Sequence, residues 1–274
     1  MGIFDIFKKK EAASFDNSNI IKFAKQRRGV IVDPPLVEDP ILQNMFTIRR
    51  EAYAHIEAAI RRGQVEYVYS DNEVGTALYD NSTRCMMIEC WNEDKVHEII
   101  SVCDSTKLRK TITTSECVYE YLKSHIDYKH TQVCIQGVCY QAMDFERQLA
   151  IRPATVDDIG YIRSTYYDVQ PDFVRERIES GNMFVGSLIK GGPVMSYVGM
   201  HNDDSVGFEF VQPDMRRRHY GIEITDWMTK VAAERGLLPY IQILSHNIAS
   251  IRMNHYIGYQ YFDGFVYWLF DEFE

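Results

Sequence analysis

Apolar and polar positions change their spacing several times along the chain. Ile48, Ala52, Ile56, Ala59 and Ile60 recur at helical intervals and Gly63 follows, which predicts one helix with a C-terminal stop. The runs at 65–69, 74–78 and 85–90 read as three short strands, separated by the turn formers Asp71-Asn72 and Asp80-Asn81-Ser82. Residues 93–102 and 115–126 return to helical spacing, and 132–143 reads as one strand or a hairpin bent near Gly137.

From residue 148 the pattern is sharper. A strand at 149–153 leads into Thr155 and Asp158, a capping box that opens a helix. A second helix follows Pro171 and stops at Gly181, and 183–189 with 194–200 form a hairpin around Gly191-Gly192. A strand at 205–211 ends at Gln212-Pro213. After Arg216, Arg217 and Arg218 a helix runs to Arg235-Gly236. A strand at 240–244, a helix at 249–256 and a closing hairpin over 259–270, broken near Asp263-Gly264, complete the order β-α-α-β-β-β-α-β-α-β-β. The expected fold class is α+β with a mixed sheet. The expected division is an arm and linker at 1–37, a small accessory α+β domain at 38–147, and a larger domain at 148–274. The arm carries the apolar residues Ile3, Phe4, Ile6 and Phe7 and a basic stretch (Lys22, Lys25, Arg27, Arg28), and it ends in Asp33-Pro34-Pro35, which blocks a helix.

Composition narrows the function. At 274 residues and 46% hydrophobic, the chain can build real cores, and no run is long enough to span a bilayer. A net charge of −9 disfavours nonspecific nucleic-acid binding. All six cysteines precede residue 140, none in C-x-x-C spacing and none with zinc-finger histidines, so buried thiols are expected and no metal site. A cytoplasmic setting is the default reading, since the first ten residues lack the layout of a secretory signal.

The stretch from Val211 to Gly221 carries the chemistry. It joins a strand to a helix, so successive backbone N–H groups and the helix dipole converge on one spot suited to a pyrophosphate. Three arginines in isolation would read as a solvated face. Here Arg216-Arg217-Arg218-His219-Tyr220-Gly221 resembles the cofactor loop of the GNAT superfamily of acetyltransferases, written Q/R-x-x-G-x-G/A. Asn247-Ile248-Ala249-Ser250 followed by Ile257-Gly258-Tyr259 is similar to that family's N-x-x-S…G-F segment, and Ile151-Arg152-Pro153 with Asp157-Asp158 to its opening. The resemblance covers residues 148–274. The whole chain more loosely resembles two-part bacterial proteins with a degenerate α/β domain before the acyltransferase domain.

This resemblance implies a sheet splayed between the domain's fourth and fifth strands, with acetyl-coenzyme A as co-substrate in the gap. The diphosphate would sit on Arg216, Arg217, Arg218, His219, Tyr220, Gly221 and Ile222. The pantetheine arm would pair with backbone of Phe210 and Val211, near Asn247, Ser250 and Asn254. Two positions depart from the family pattern: His219 replaces the first loop glycine, and Asn254 stands where a proton-donating Tyr is usual. Tyr256, two residues on, falls about 200° round the helix and reads as core.

Glu209 is the candidate general base, on a strand face opposite Phe208 and Phe210; a salt-bridged or solvent-facing Glu is the plainer alternative. A backbone N–H near Phe210 or Val211 would hold the oxyanion. The expected activity is N-acetylation of a primary amine on a small molecule or peptide. The alternative is a non-catalytic coenzyme-A-binding module. Expected partners are the amine acceptor, with no nucleic acid and no membrane; a homodimer is left open.

Overall fold

The computed structural model describes residues 24–29, 32–145, 147–166 and 172–272. Ile3, Phe4, Ile6, Phe7, Lys22 and Pro171 lie outside them.

The chain opens with strand β1 (Ala24–Gly29) and helices α1 (Pro40–Ile48) and α2 (Ala54–Arg62). Strands β2 (Val65–Asp71), β3 (Gly75–Asp80) and β4 (Cys85–Cys90) follow, then α3 (Val96–Ser101), β5 (Lys110–Thr113), α4 (Glu116–His125), β6 (His130–Cys139) and β7 (Gln141–Phe145). The same order then recurs as β8 (Ala150–Pro153), α5 (Ile159–Thr165), α6 (Phe173–Glu179), β9 (Met183–Ser187), β10 (Ser196–Met200), β11 (Val206–Val211), α7 (Tyr220–Glu234), β12 (Tyr240–Leu244), α8 (Ile248–Ile257), β13 (Tyr259–Tyr261) and β14 (Val266–Phe270). The first half thus repeats the element order of the second.

Local chemistry sets the ends of these elements. Asp39 caps α1, its carboxylate accepting from Ile41 N at 2.8 Å, with Pro40 in the first turn where a missing N–H costs nothing. Gly63 closes α2 at φ 74°, a left-handed angle that glycine adopts freely. The capping box forms as expected, with Thr155 N donating to Asp158 Oδ2 at 2.7 Å.

A 12-stranded mixed sheet runs through both halves in the order β2-β3-β4-β5-β14-β6-β12-β11-β10-β9-β8, with β13 also on β6. The expected boundary at residue 147 therefore does not interrupt the sheet. The halves exchange strands: β14 lies between β5 and β6, and the second part of β6 lies between β12 and β13. Helices α1, α2, α5 and α6 pack on one face, over Leu78, Met87, Tyr197 and Phe208. Helices α3, α4, α7 and α8 cover the other, over Ala77, Met86, Ile135 and Ile241. The buried tyrosines satisfy their hydroxyls internally: Tyr197 with Thr165 at 2.9 Å, Tyr240 with the Asp203 carbonyl at 2.7 Å and Tyr259 with Thr229 at 2.9 Å. No helix among the described residues is long and apolar enough to cross a membrane.

Several expectations need correction. The periodic series from Ile48 to Ile60 spans two helices, because Arg49 ends α1 in a non-helical conformation and leaves Ile48 68% exposed. Strand β5 has only 4 residues, too short for a pattern to emerge. Of the two readings of 132–143 the single strand holds as far as Cys139, since β6 runs straight through Gly137; β7 then leaves the main sheet to pair with β1, so part of the expected arm is a strand. Gly137 instead admits the Tyr261 ring, where an added Cβ would meet Cδ1 at 2.6 Å. Nor do β13 and β14 form a hairpin; β6 pairs with each, β14 along residues 130–134 and β13 along 137–139.

Candidate active site

Strands β11 and β12 run parallel but pair at one register position only, Val206↔Ile241. Beyond it no pairing joins them, and the β11 edge from residue 207 to 211 has no partner strand on that side. On its other side β11 pairs with β10 through a β-bulge: between Tyr197↔Phe210 and Gly199↔Gly207, Val198 alone faces Phe208 and Glu209. The bulge puts Phe208 at φ 53°, a left-handed angle costing about 1–2 kcal/mol for an L-residue. Aromatic packing holds it there, with His201 stacked at 4.2 Å, Tyr166 at 5.0 Å and Phe173 at 5.6 Å between ring centroids.

Alternation after the bulge sends Phe210 to the α5 side, where Tyr197 stacks on it at 5.0 Å and Tyr161 meets it edge-on at 6.3 Å. Glu209 turns the other way, toward α8. Ser250 Oγ donates to Glu209 Oε2 at 3.1 Å, and Asn254 Nδ2 donates to Oε1 at 3.2 Å and Oε2 at 3.4 Å. Burial raises the Glu209 pKa above the ordinary carboxylate value, and the donors Asn254 and Ser250 only partly offset it. Ser250 and Asn254, expected beside the cofactor, thus spend their side chains on Glu209. Asn247 Oδ1 accepts from Ser250 N at 3.2 Å and caps α8.

At the C-terminal end of β11 a 3-10 turn (Pro213–Met215) leads into the three arginines, all exposed. Arg216 Nε donates to the Val211 carbonyl at 3.0 Å, and its guanidinium lies 6.0 Å from the Phe210 ring centroid. Arg217 (φ 63°) and His219 (φ 66°) are both left-handed. His219 therefore occupies a glycine-like conformation, which histidine tolerates better than most side chains. It is the residue before α7, whose first turn presents the amides of Tyr220, Gly221 and Ile222 with no preceding helical carbonyl to accept them. Three exposed arginines thus precede first-turn amides and the positive end of a 15-residue helix, a donor set that fits a diphosphate. Gly221 lets α8 approach closely, since a Cβ there would meet Met253 Sδ at 2.9 Å.

The sequence reading missed the aromatic wall of Tyr161 and Tyr197 and the Thr225 hydroxyl. No local signal marks them, because only strand register and helix packing bring them to Glu209 and Phe210. The His201-Asn202-Asp203-Asp204 turn is more than a simple reversal. Arg62 of α2 grips it, Nη1 donating to the Asp203 carbonyl at 2.6 Å and Asp204 Oδ2 at 2.8 Å, while Nη2 binds Asp80 Oδ2 at 2.6 Å. Among the described residues no group of three or more His, Cys, Asp or Glu side chains could hold a metal ion.

A mixed sheet opened between two parallel strands, with a cation-rich loop and a helix start at the mouth of the opening, defines the GNAT acetyltransferase fold. No family model matches the chain, and no curated protein matches it. Among solved structures it is similar to a Drosophila protein at 14% identity and a TM-score of 0.62, spanning 87% of this chain and 97% of that one. It is also similar to a GCN5-related N-acetyltransferase from Kribbella flavida at 12% identity and a TM-score of 0.51, spanning 81% and 94%. At such identities the likeness establishes the fold.

Proposed function

We propose that this protein is an N-acetyltransferase that moves an acetyl group from acetyl-coenzyme A to a primary amine of a small molecule or peptide. The observation that carries this reading is the juxtaposition of Glu209, its pKa raised, with a strand edge left open and a phosphate-suited loop at the same gap.

The chemistry follows from those groups. The diphosphate is held by Arg216, Arg217, Arg218 and the first amides of α7, and the pantetheine amides pair with the free edge of Phe210 and Val211. Glu209, directly or through a water, takes a proton from the ammonium, and the neutral amine attacks the thioester carbonyl. A β11 backbone N–H near Phe210 or Val211 supports the oxyanion. The C–N bond forms, the C–S bond breaks, the nitrogen sheds its remaining extra proton to solvent, and the thiolate leaves without a side-chain acid, since Asn254 cannot supply a proton. Tyr161 and Phe210 wall the acceptor side, with the buried Tyr197 stacked behind Phe210.

The test pairs a thermal shift with thiol release. Acetyl-coenzyme A at 100 times its Kd stabilises a native state by about 2.7 kcal/mol. Thiol release over an amine panel should appear in the wild type and fall at least ~100-fold in Glu209→Gln while the thermal shift persists. A second reading, a coenzyme-A-binding module without turnover, draws on Asn254 and on the engagement of Glu209 by α8. Stabilisation without thiol release would favour the module; the absence of stabilisation at millimolar cofactor refutes both.

A further inference from the structure

Asn254 exposes none of its surface, yet its amide is asymmetrically satisfied. Nδ2 donates to both Glu209 oxygens and also lies 3.1 Å from the Ser250 carbonyl and 3.2 Å from Ser250 Oγ. Oδ1 has no partner among the described residues. A turned amide would leave Nδ2 unpaired instead and set Oδ1 against the Ser250 carbonyl, so the orientation that aims Nδ2 at Glu209 is the favoured one. An ionised carboxylate reinforces it, because both of its oxygens are acceptors. Ser250 and Asn254 are four residues apart, on one face of α8, so helix geometry aims both donors at the same group.

The first half of the chain repeats the device. Glu89 stands one residue from the end of β4, and Glu209 two residues from the end of β11. It accepts from Thr114 N at 2.8 Å, Thr114 Oγ1 at 2.5 Å and Ser115 Oγ at 3.1 Å, all from the segment that follows the parallel neighbour β5. There the carboxylate is 1% exposed and burial pushes its pKa up to about 7. The fold thus clamps a strand-end carboxylate twice, and only the second clamp lies beside a phosphate-suited loop.

We propose that Asn254, assisted by Ser250, is a positioning residue that holds the Glu209 carboxylate ionised and oriented in the gap. This rests on the reading of Glu209 as the base. The other groups facing that carboxylate are Thr225 of α7 and the phenols Tyr259 and Tyr261 of β13, both pushed up in pKa by burial first, with the Glu209 charge adding to it. Both phenols stay neutral near pH 7, so they do not compete for the proton. Removing the amide donor takes away stabilisation of the anion, and the Glu209 pKa rises further.

The variants are Asn254→Leu and Ser250→Ala, the second at a half-exposed position that tolerates change. In Asn254→Leu the acid limb of the kcat/KM–pH profile should move up by about one unit, with kcat/KM on the sloping part of that limb down about tenfold. KM for acetyl-coenzyme A and its thermal shift should stay unchanged. Ser250→Ala should move the same limb by less. In parallel, a carbon-13 NMR titration of labelled glutamate carboxyls, assigned with Glu209→Gln, should show the Glu209 midpoint rising in both variants. A lower melting temperature with profile and midpoint unmoved means a purely structural Asn254 and overturns the proposal. A raised KM for the cofactor with kcat unchanged means a cofactor contact and overturns it too. If the wild type releases no thiol, the enzyme reading falls, and the NMR midpoint alone then decides the clamp.

Discussion

Arg62→Met is the most informative single perturbation, because one guanidinium ties the two halves of the chain together. Its Nη2 pairs with Asp80, which is buried, its Nη1 holds the turn that launches β11, and its Nε donates to Ser82 Oγ at 3.1 Å. Methionine keeps the apolar stem and deletes the charge. Asp80 would keep its bonds from Ser82 N at 2.9 Å, Ser82 Oγ at 2.6 Å and Thr83 Oγ1 at 2.7 Å, but it would be a buried carboxylate without a cation. Breaking a buried pair in this way costs about 3–5 kcal/mol, and the surviving donors argue for about 3. Asp204 is 20% exposed and adds little. For a chain of this size the loss lowers the melting temperature by roughly 6–12 °C. Asp80 carries the pH signature. Burial pushes its pKa up, but Ser82, Arg62 and Thr83 outweigh that and hold it below the ordinary value. A depressed folded pKa stabilises above the unfolded value, about 3.9, and that stabilisation is lost as pH falls through the folded one. Without Arg62 burial dominates, the folded pKa rises, and acid favours the folded variant. The stability gap, measured by urea unfolding, should therefore be widest at pH 7 and shrink toward pH 3. Asp80→Asn placed in the variant should recover part of the loss at pH 7. A loss under ~0.5 kcal/mol at pH 7, or a gap independent of pH, refutes the reasoning.

Two further outcomes follow from the strand exchange and the loop. Residues 148–274 expressed alone lack β6, so β13 has no partner strand, β14 loses both of its neighbours and β12 loses one edge. That fragment should show no cooperative unfolding by circular dichroism, and co-expression with 1–147 should restore it; a fragment that melts cooperatively with a coenzyme-A-dependent midpoint refutes this. At His219, φ 66° makes Val the worst substitution and Gly an easy one. His219→Val should lose about 1–2 kcal/mol and weaken cofactor-induced stabilisation, while His219→Gly keeps both; equal effects of the two in denaturation and thermal-shift series would remove backbone angle as the cause.

Much of the second half could be read from the chain because its signals are local. The capping box at Thr155, the strand–loop–helix from Val211 to Gly221 and the helix stop at Gly258 each depend on residues a few positions apart, and period 2 or 3.6 sufficed to place the elements around them. Alternation also put Glu209 opposite Phe208 and Phe210, as the packing shows. The left-handed angle at His219 was legible only as a departure from a glycine pattern; its value came from the fold.

What the chain determined by itself, then, was the set of elements in its second half and the residue types at the gap, both products of short-range propensity. Only the tertiary structure decided that β6 and β14 are exchanged between the halves, that Asn254 and Ser250 clamp Glu209, and that Arg62 reaches the Asp203-Asp204 turn from 141 residues away. The physical reason is that hydrogen-bond ladders and buried ion pairs are satisfied by whichever partner the packed core brings near, and sequence separation does not enter that choice.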